Sequence, residues 1–318
     1  MAEPIIKVRD IAYIRLRSPD LDRAERFLSD FGLVRSARTD RALYMRGTDA
    51  PHHVHITELG EPKVLGIGFL AGGEADLHRL SAAAEGASPV MALEEPGGGK
   101  VVRLTEPNGF PIEVMHGQAT LPPLPVRTSV LNTGPERKRL GELQRLEVRP
   151  CQVKRIGHAV IATPDIADSK AWVHRHLGLV VSDDVHADDN PDLLLASFNR
   201  ADRGADFVDH HTMMFARNER RGLNHVSFEV QDVDDLMAGH DHLKAAGDYA
   251  HFWGIGRHLL GSQIFDYWAD PWGRVHEHWT DSDLLNEATP ARRLPRSQGL
   301  KSQWGPQAPQ AFRDAASV

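Results

Sequence analysis

The feature that most constrains this chain is that it repeats itself. The segment from Asp10, DIAYIRLRSPDLDRAERFLSDFGLV, matches the segment from Arg155, RIGHAVIATPDIADSKAWVHRHLGLV, and both carry the same signals in the same order. Each reads as an alternating strand, a Ser/Thr-Pro-Asp turn whose aspartate (Asp20, Asp165) can cap a helix, an amphipathic helix and a Gly-Leu-Val exit. A second pair, LGIGFL near Gly66 and LNHVSF near Asn224, sets Ile67 against His225. Both are followed by a helical stretch and by strands ending EPNGFPIEV and DPWGRVHEH. Pro107-Asn108-Gly109 and Pro271-Trp272-Gly273 are hairpin signals. The chain therefore reads as α+β: four βαβββ modules paired into two open-barrel domains.

The expected divisions are residues 1–118 and 151–285 for the two domains, with 119–150 as a linker and 286–318 as a C-terminal arm. The linker holds LPPLPV, an Asn-Thr-Gly-Pro turn and the charged stretch ERKRLGELQRLEVRP. The arm carries Pro290, Pro295, Pro306 and Pro309 with little periodicity, so an extended, incompletely ordered segment is expected, although Trp304 and Phe312 are able to dock on a neighbouring surface. A length of 318 residues with 41% apolar side chains suffices for two cores.

A balance of 37 Lys and Arg against 44 Asp and Glu, net charge −7, with no basic stripe, argues against a nucleic acid or an anionic membrane and for a small partner. No apolar run reaches a membrane span, and MAEPIIKVRDIAYIRL lacks the charged start and long apolar core of a signal peptide, so a cytoplasmic protein is expected. The single cysteine, Cys151, excludes an internal disulfide and a thiolate cluster. Any metal must be held by imidazole and carboxylate, and 13 of the 18 histidines follow position 150.

The repeat supplies an internal control, because positions that agree serve the shared fold and polar residues present in one copy alone need another reason. His158 stands where the first half has Tyr13, His225 where it has Ile67, and Glu277 where it has Glu113. Only the second half offers His, His, Glu, each on a strand and each able to face the inside of one barrel. Two imidazoles and one carboxylate make the facial set of non-haem Fe(II), with adjacent positions open; the same donors also suit Mn(II). A strand histidine taken alone is more often a half-buried structural side chain, and Glu113 gives Glu277 a partly structural explanation. Neither point accounts for the three together.

These residues resemble the type I extradiol ring-cleaving dioxygenases of the vicinal oxygen chelate, or glyoxalase/bleomycin resistance, superfamily. GRHLLGSQIFDYWADPWGRVHE, residues 256–277, is similar to that family's signature, with His258, Tyr267, Asp270, Pro271, Gly273 and Glu277 in its places. Gly157-His158, Asn224-His225 and Asp209-His210-His211-Thr212 agree with it. Asp266 departs, since the family usually has an apolar residue before the tyrosine, and Leu260 stands where some biphenyl-diol-cleaving members carry a polar residue. The resemblance covers roughly residues 8–285. It implies His158, His225 and Glu277 as iron ligands, and His211, His258 and Tyr267 as the acid-base group. His211 is preferred to His210 as the second histidine of the His-His-Thr motif.

The activity implied is meta cleavage of a catecholic or trihydroxylated ring by O2, giving a muconic semialdehyde-type product. Two other readings compete: a non-oxygenase member of the superfamily, such as a glyoxalase-type isomerase or epimerase, and a binding protein that sequesters small molecules. The first does not need the set His211, His258, Tyr267, and the second has no need for the metal triad His158, His225, Glu277. A homo-oligomer is expected, the ligand-free first half serving support and assembly. Bland structural roles are expected for His174, His176, His186, His240, His242, His251, His276 and His278. His276 and His278 should point away from Glu277 by strand alternation, and Trp253, Phe252, Trp268 and Trp272 are either pocket walls or ordinary packing.

Overall fold

The computed structural model describes residues 3–127 and 129–318; Met1, Ala2 and Thr128, the last within the expected linker, lie outside it. The first module is β1 (Asp10–Ser18), α1 (Leu21–Asp30), β2 (Val34–Arg38), β3 (Ala42–Arg46) and β4 (His55–Leu59). The second is β5 (Lys63–Leu70), α2 (Glu74–Ala83), β6 (Met91–Ala92), β7 (Lys100–Thr105) and β8 (Pro111–His116). The third runs β9 (Val153–Thr163), α3 (Ile166–Leu177), β10 (Leu179–His186), β11 (Leu194–Ala201), a two-residue β12 (Val208–Asp209) and β13 (Met213–Arg217). The fourth is β14 (Gly222–Val230), α4 (Val233–Ala246), β15 (Ala250–His258), β16 (Ile264–Ala269) and β17 (Val275–Thr280).

The local signals act as read. The Asp20 side chain accepts from Arg23 N, Asp165 from Asp168 N and Asp232 from Asp235 N, so each helix start has one otherwise orphaned amide satisfied. In the hairpin β16–β17, Gly273 adopts φ +83°, a conformation that only glycine takes without strain.

Modules one and two form a sheet of order β2-β3-β4-β1-β5-β8-β7-β6. Modules three and four repeat it, β10-β11-β13-β9-β14-β17-β16-β15, with one more strand at each edge. Those additions come from the C-terminal arm. After β18 (Leu284–Leu285), which pairs with β12, the chain forms β19 (Arg292–Pro295) beside β10 and β20 (Ser302–Trp304) beside β15. Two short helices, α5 (Arg296–Gly299) and α6 (Gln310–Arg313), complete it. The arm is thus ordered by pairing with open sheet edges, a long-range effect that its own proline-rich sequence does not encode. Phe312 docks on Trp253 and Tyr267, each at 4.7 Å between ring centroids, whereas Trp304 stays half exposed.

One continuous apolar core joins the halves, running from Ile6 through Phe27 and Phe31 to Phe228 and Trp268. His276 and His278 lie in it, away from Glu277. His278 stacks on Phe31 at 3.7 Å and donates to the Phe31 carbonyl (2.6 Å), while His276 meets His55 at 3.3 Å. Arg274 ties the sheets polarly: its guanidinium pairs with Asp270 (2.6 Å) and donates to the Arg17 carbonyl (2.8 Å) and Ser18 Oγ (2.7 Å). Arg274 and Asp270 are both buried. Arg274→Met is expected to lower unfolding free energy by about 3–5 kcal/mol, since the buried Asp270 loses its counter-charge and keeps only the backbone amides of residues 272 and 274. Denaturant melts check this, and a loss below about 1 kcal/mol contradicts it. Among the described residues no helix is long and apolar enough to cross a membrane.

Candidate metal centre

The second sheet curls around a cavity of about 800 Å³. Its wall takes Val160 from β9, Phe198 from β11, Met214 from β13, Trp253 from β15 and Tyr267 from β16, strands drawn from across the sheet, together with Phe312 of the arm. Of the four aromatic residues considered from sequence, only Trp253 lines it; Trp268 is core, where its Nε1 donates to Asp266.

At the inner end of the cavity three side chains meet. His158 on β9, His225 on β14 and Glu277 on β17 come from three adjacent strands, with Ser227 in register with both His158 and Glu277. His158 Nε2 lies 3.0 Å and His225 Nε2 3.4 Å from Glu277 Oε2, and the two nitrogens are 3.4 Å apart. All three residues are buried, and neither Glu277 oxygen receives a well-aligned hydrogen. A buried carboxylate without hydrogen-bond partners is costly. Three donor atoms at these separations form one face of an octahedron with bonds of about 2.1–2.4 Å, so the residues present fit a divalent ion. Burial pushes the Glu277 carboxyl up, but the imidazoles of His158, His225 and His258 hold it well below the usual range. Burial pushes His158 down to about 4 despite Glu277 beside it.

Asn224, quoted from sequence only as part of a motif, orients His225. Its Oδ1 accepts from His225 Nδ1 (2.7 Å) and its amide nitrogen donates to the carbonyls of Phe312 and Ala315 (both 3.0 Å). The amide therefore sets the His225 tautomer, leaving Nε2 with a lone pair toward Glu277, and ties that imidazole to the arm.

His211, His258 and Tyr267 surround the same point. His258 Nε2 and the Tyr267 hydroxyl are 2.9 Å apart, and His258 Nε2 is 3.6 Å from Glu277 Oε1. Burial, with Glu277 nearby, holds the Tyr267 phenol well above its ordinary value, so it stays protonated. The His211 ring lies 4.1 Å from that of His158 and lines the cavity. Burial and then His158 and His210 keep it well below the usual histidine range.

His210 points elsewhere: its Nε2 meets Asp183 Oδ2 at 2.7 Å, and Arg292 of β19 clamps both Asp183 oxygens at 2.7 Å. Asp183 only accepts, so His210 Nε2 carries the hydrogen. A neutral His210 then accepts at Nδ1 from His211 Nδ1 (3.1 Å), leaving the other His211 nitrogen as an acceptor. Asp183, His210 and Arg292 were not legible as functional from sequence, although the doublet His52-His53 of the first half, with its own Nδ1–Nδ1 contact at 3.0 Å, repeats the doublet His210-His211.

The first half shows what the fold looks like without this centre. Tyr13 occupies the place of His158 and donates to Glu113 Oε2 (2.7 Å), while Arg15 and Arg103 pair with the same carboxylate at 3.2 and 2.7 Å. The position matching His225 is Gly66, not Ile67. Glu113 pairs in register with Gly68 as Glu277 does with Ser227, and the irregularities of β5 and β14 fall at equivalent places, so the two strands match without a gap, one residue from the register read from sequence. Gly68 leaves room for the Tyr13 ring, 2.6 Å from where a Cβ would stand.

Burial opposes the Glu113 charge, but Arg15 and Arg103 hold its carboxyl below the usual glutamate range. A carboxyl depressed in the folded state stabilises above its unfolded pKa, and that contribution is lost as pH falls through the folded value. Glu113→Gln is therefore expected to flatten the acid limb of stability below about pH 4.5. Urea melts between pH 3 and 7 test this, and a limb as steep as the wild type contradicts it.

The chain belongs to the Glyoxalase/Bleomycin resistance protein/Dioxygenase superfamily, whose model matches residues 155–275. Within it, the chain is 33% identical to metapyrocatechase 2 of Cupriavidus necator, over 98% of this chain and 93% of that protein. Among solved structures, the Mn(II)-bound glyoxalase from Novosphingobium aromaticivorans superposes with a TM-score of 0.76 at 26% identity, covering 96% of this chain and 94% of that one. An extradiol ring-cleaving dioxygenase from B. fuscum gives 0.82 at 19% identity, covering 100% and 84%, a likeness of fold.

Proposed function

We infer that the chain is an extradiol dioxygenase that opens an aromatic diol beside its hydroxyl groups with O2. The observation that carries this reading is the convergence of His158, His225 and Glu277, with donor atoms 3.0–3.4 Å apart, at the inner end of a cavity that also holds His211, His258 and Tyr267. Full-length similarity to a metapyrocatechase supports it. His158, His225 and Glu277 hold Fe(II) in this reading; the same donors accept Mn(II). When bound, the metal supplies adjacent positions for both diol oxygens and O2 and a path for electron density between them.

The chain's own residues do the rest. The cavity walls of Val160, Phe198, Met214, Trp253 and Leu260 take the face and edges of a flat ring and exclude water. The protonated Tyr267 hydroxyl and His258, 2.9 Å apart, hydrogen-bond one substrate oxygen and hold the ring in one orientation. His211 accepts a phenolic proton and returns it to the departing oxygen, work worth about 10²- to 10⁴-fold in rate. The enzyme acts in the cytoplasm as a homo-oligomer, the first half, which brings no such ligand set together among the described residues, serving support and assembly.

Anaerobic loading with Fe(II), followed by air and a panel of catechol, alkyl, biaryl and trihydroxy rings, tests the reading. A yellow ring-cleavage product with one O2 consumed per ring is expected from at least one substrate. Iron-loaded protein that consumes no O2 with any of them rules the oxygenase out and returns the isomerase and binding-protein readings.

A further inference from the structure

We propose a second divalent-cation site on the opposite face of the same sheet, built by His240 on α4, His251 on β15 and Asp266 on β16. Asp266 is the residue that departs from the family signature, and the cavity makes no use of it. Strand alternation sends Tyr267 into the cavity and Asp266 out toward α4. The Asp266 side chain is fully buried, yet it is met by two imidazoles rather than by a cation: His240 Nδ1 stands 3.0 Å from Oδ2 and His251 Nε2 2.8 Å from Oδ1. Trp268 Nε1 donates to Oδ2 at 2.6 Å, which fixes the plane of the carboxylate as an outer partner does around a metal ligand.

Among the described residues only two groups of three or more His, Cys, Asp or Glu bring their ligand atoms within 4.8 Å of one another, the candidate centre and this one. The donor set, two imidazoles and a carboxylate, suits Zn²⁺ and neighbouring borderline ions more than Ca²⁺ or Mg²⁺. Access is available from outside, because the His251 side chain is one-third exposed. Solvent can complete the coordination there. An ion in this place clips α4 to the β15–β16 hairpin, replacing the hydrogens now shared between the imidazoles and the carboxylate.

The test counts metal in the full-length chain saturated with Zn²⁺ and desalted. Two equivalents per chain are expected for the wild type, and one each for His251→Gln, Asp266→Asn and Glu277→Gln. The Glu277 variant keeps the ion on the back face and separates this site from the candidate centre. His251→Gln, a change at the exposed rim, covers the case in which Asp266→Asn fails to fold. It is also expected to reduce the Zn²⁺-dependent rise in melting temperature, and in combination with Glu277→Gln to abolish the rise that Glu277→Gln alone retains. No Zn²⁺ retained by Glu277→Gln, or as much retained by His251→Gln as by the wild type, overturns the proposal.

Discussion

Glu277→Gln is expected to yield a folded protein that no longer retains iron and turns over at least about 10³-fold more slowly. Glutamine keeps the volume of a side chain that is wholly buried, so the core is not opened. The substitution removes the only anion among the three inner donors and puts an amide nitrogen, which cannot donate a lone pair, at one of the two oxygen places. Outer-shell changes around metal ligands already weaken binding about 10- to 100-fold, and losing a ligand together with its charge exceeds that. A rate loss of 10³ corresponds to about 4 kcal/mol.

Glu113→Gln is the internal control, since Glu113 has the equivalent register but is bound by Tyr13, Arg15 and Arg103. It should leave iron content and turnover unchanged while altering acid stability. Iron content measured after desalting, alongside O2 uptake, decides the matter. A Glu277→Gln protein with full iron and turnover within about tenfold of wild type removes Glu277 from the ligand set.

The repeat made the fold legible because each half carries the same local signals in the same order: a capping aspartate, an amphipathic helix and a Pro-x-Gly hairpin. Those signals act within a few residues, and Asp20, Asp165 and Gly273 do in the structure what their neighbours in sequence imply. The histidines and glutamate at the cavity's inner end stood out for a different reason, the contrast between two copies of one scaffold.

What escaped is what depends on distance. The match of His225 to Ile67 was one residue off because two short apolar strands can be laid together at neighbouring registers, and only their pairing with β1 and β9 chooses between them. The arm's strands β19 and β20 exist only because edges of the sheet are open to them. Asn224 acts by gripping Phe312 and Ala315, roughly ninety residues away. The clamp of Arg292 on Asp183 likewise joins the arm to β10 across 109 positions. No periodicity in the chain announces such contacts.

That clamp bears on the second large effect, expected at His211. His211→Phe keeps a ring of similar size against His158 and removes both nitrogens, so iron is expected to stay while kcat falls about 10²- to 10⁴-fold. The direction follows from the chain Arg292, Asp183, His210, His211. Asp183 fixes the hydrogen on His210 Nε2, His210 Nδ1 receives the one on His211 Nδ1, and the remaining His211 nitrogen is left able to take a proton. His210→Phe removes the acceptor that sets this tautomer but leaves His211 in place, so a smaller loss, about 10- to 100-fold, is expected with iron again retained. The ordering of the two variants is what separates proton handling from packing. If both rings merely filled space, Phe would serve at either position and neither kcat would move. If His211 were itself a ligand, His211→Phe would lose its iron along with its rate. Metal analysis and kcat on the same preparations distinguish all three outcomes.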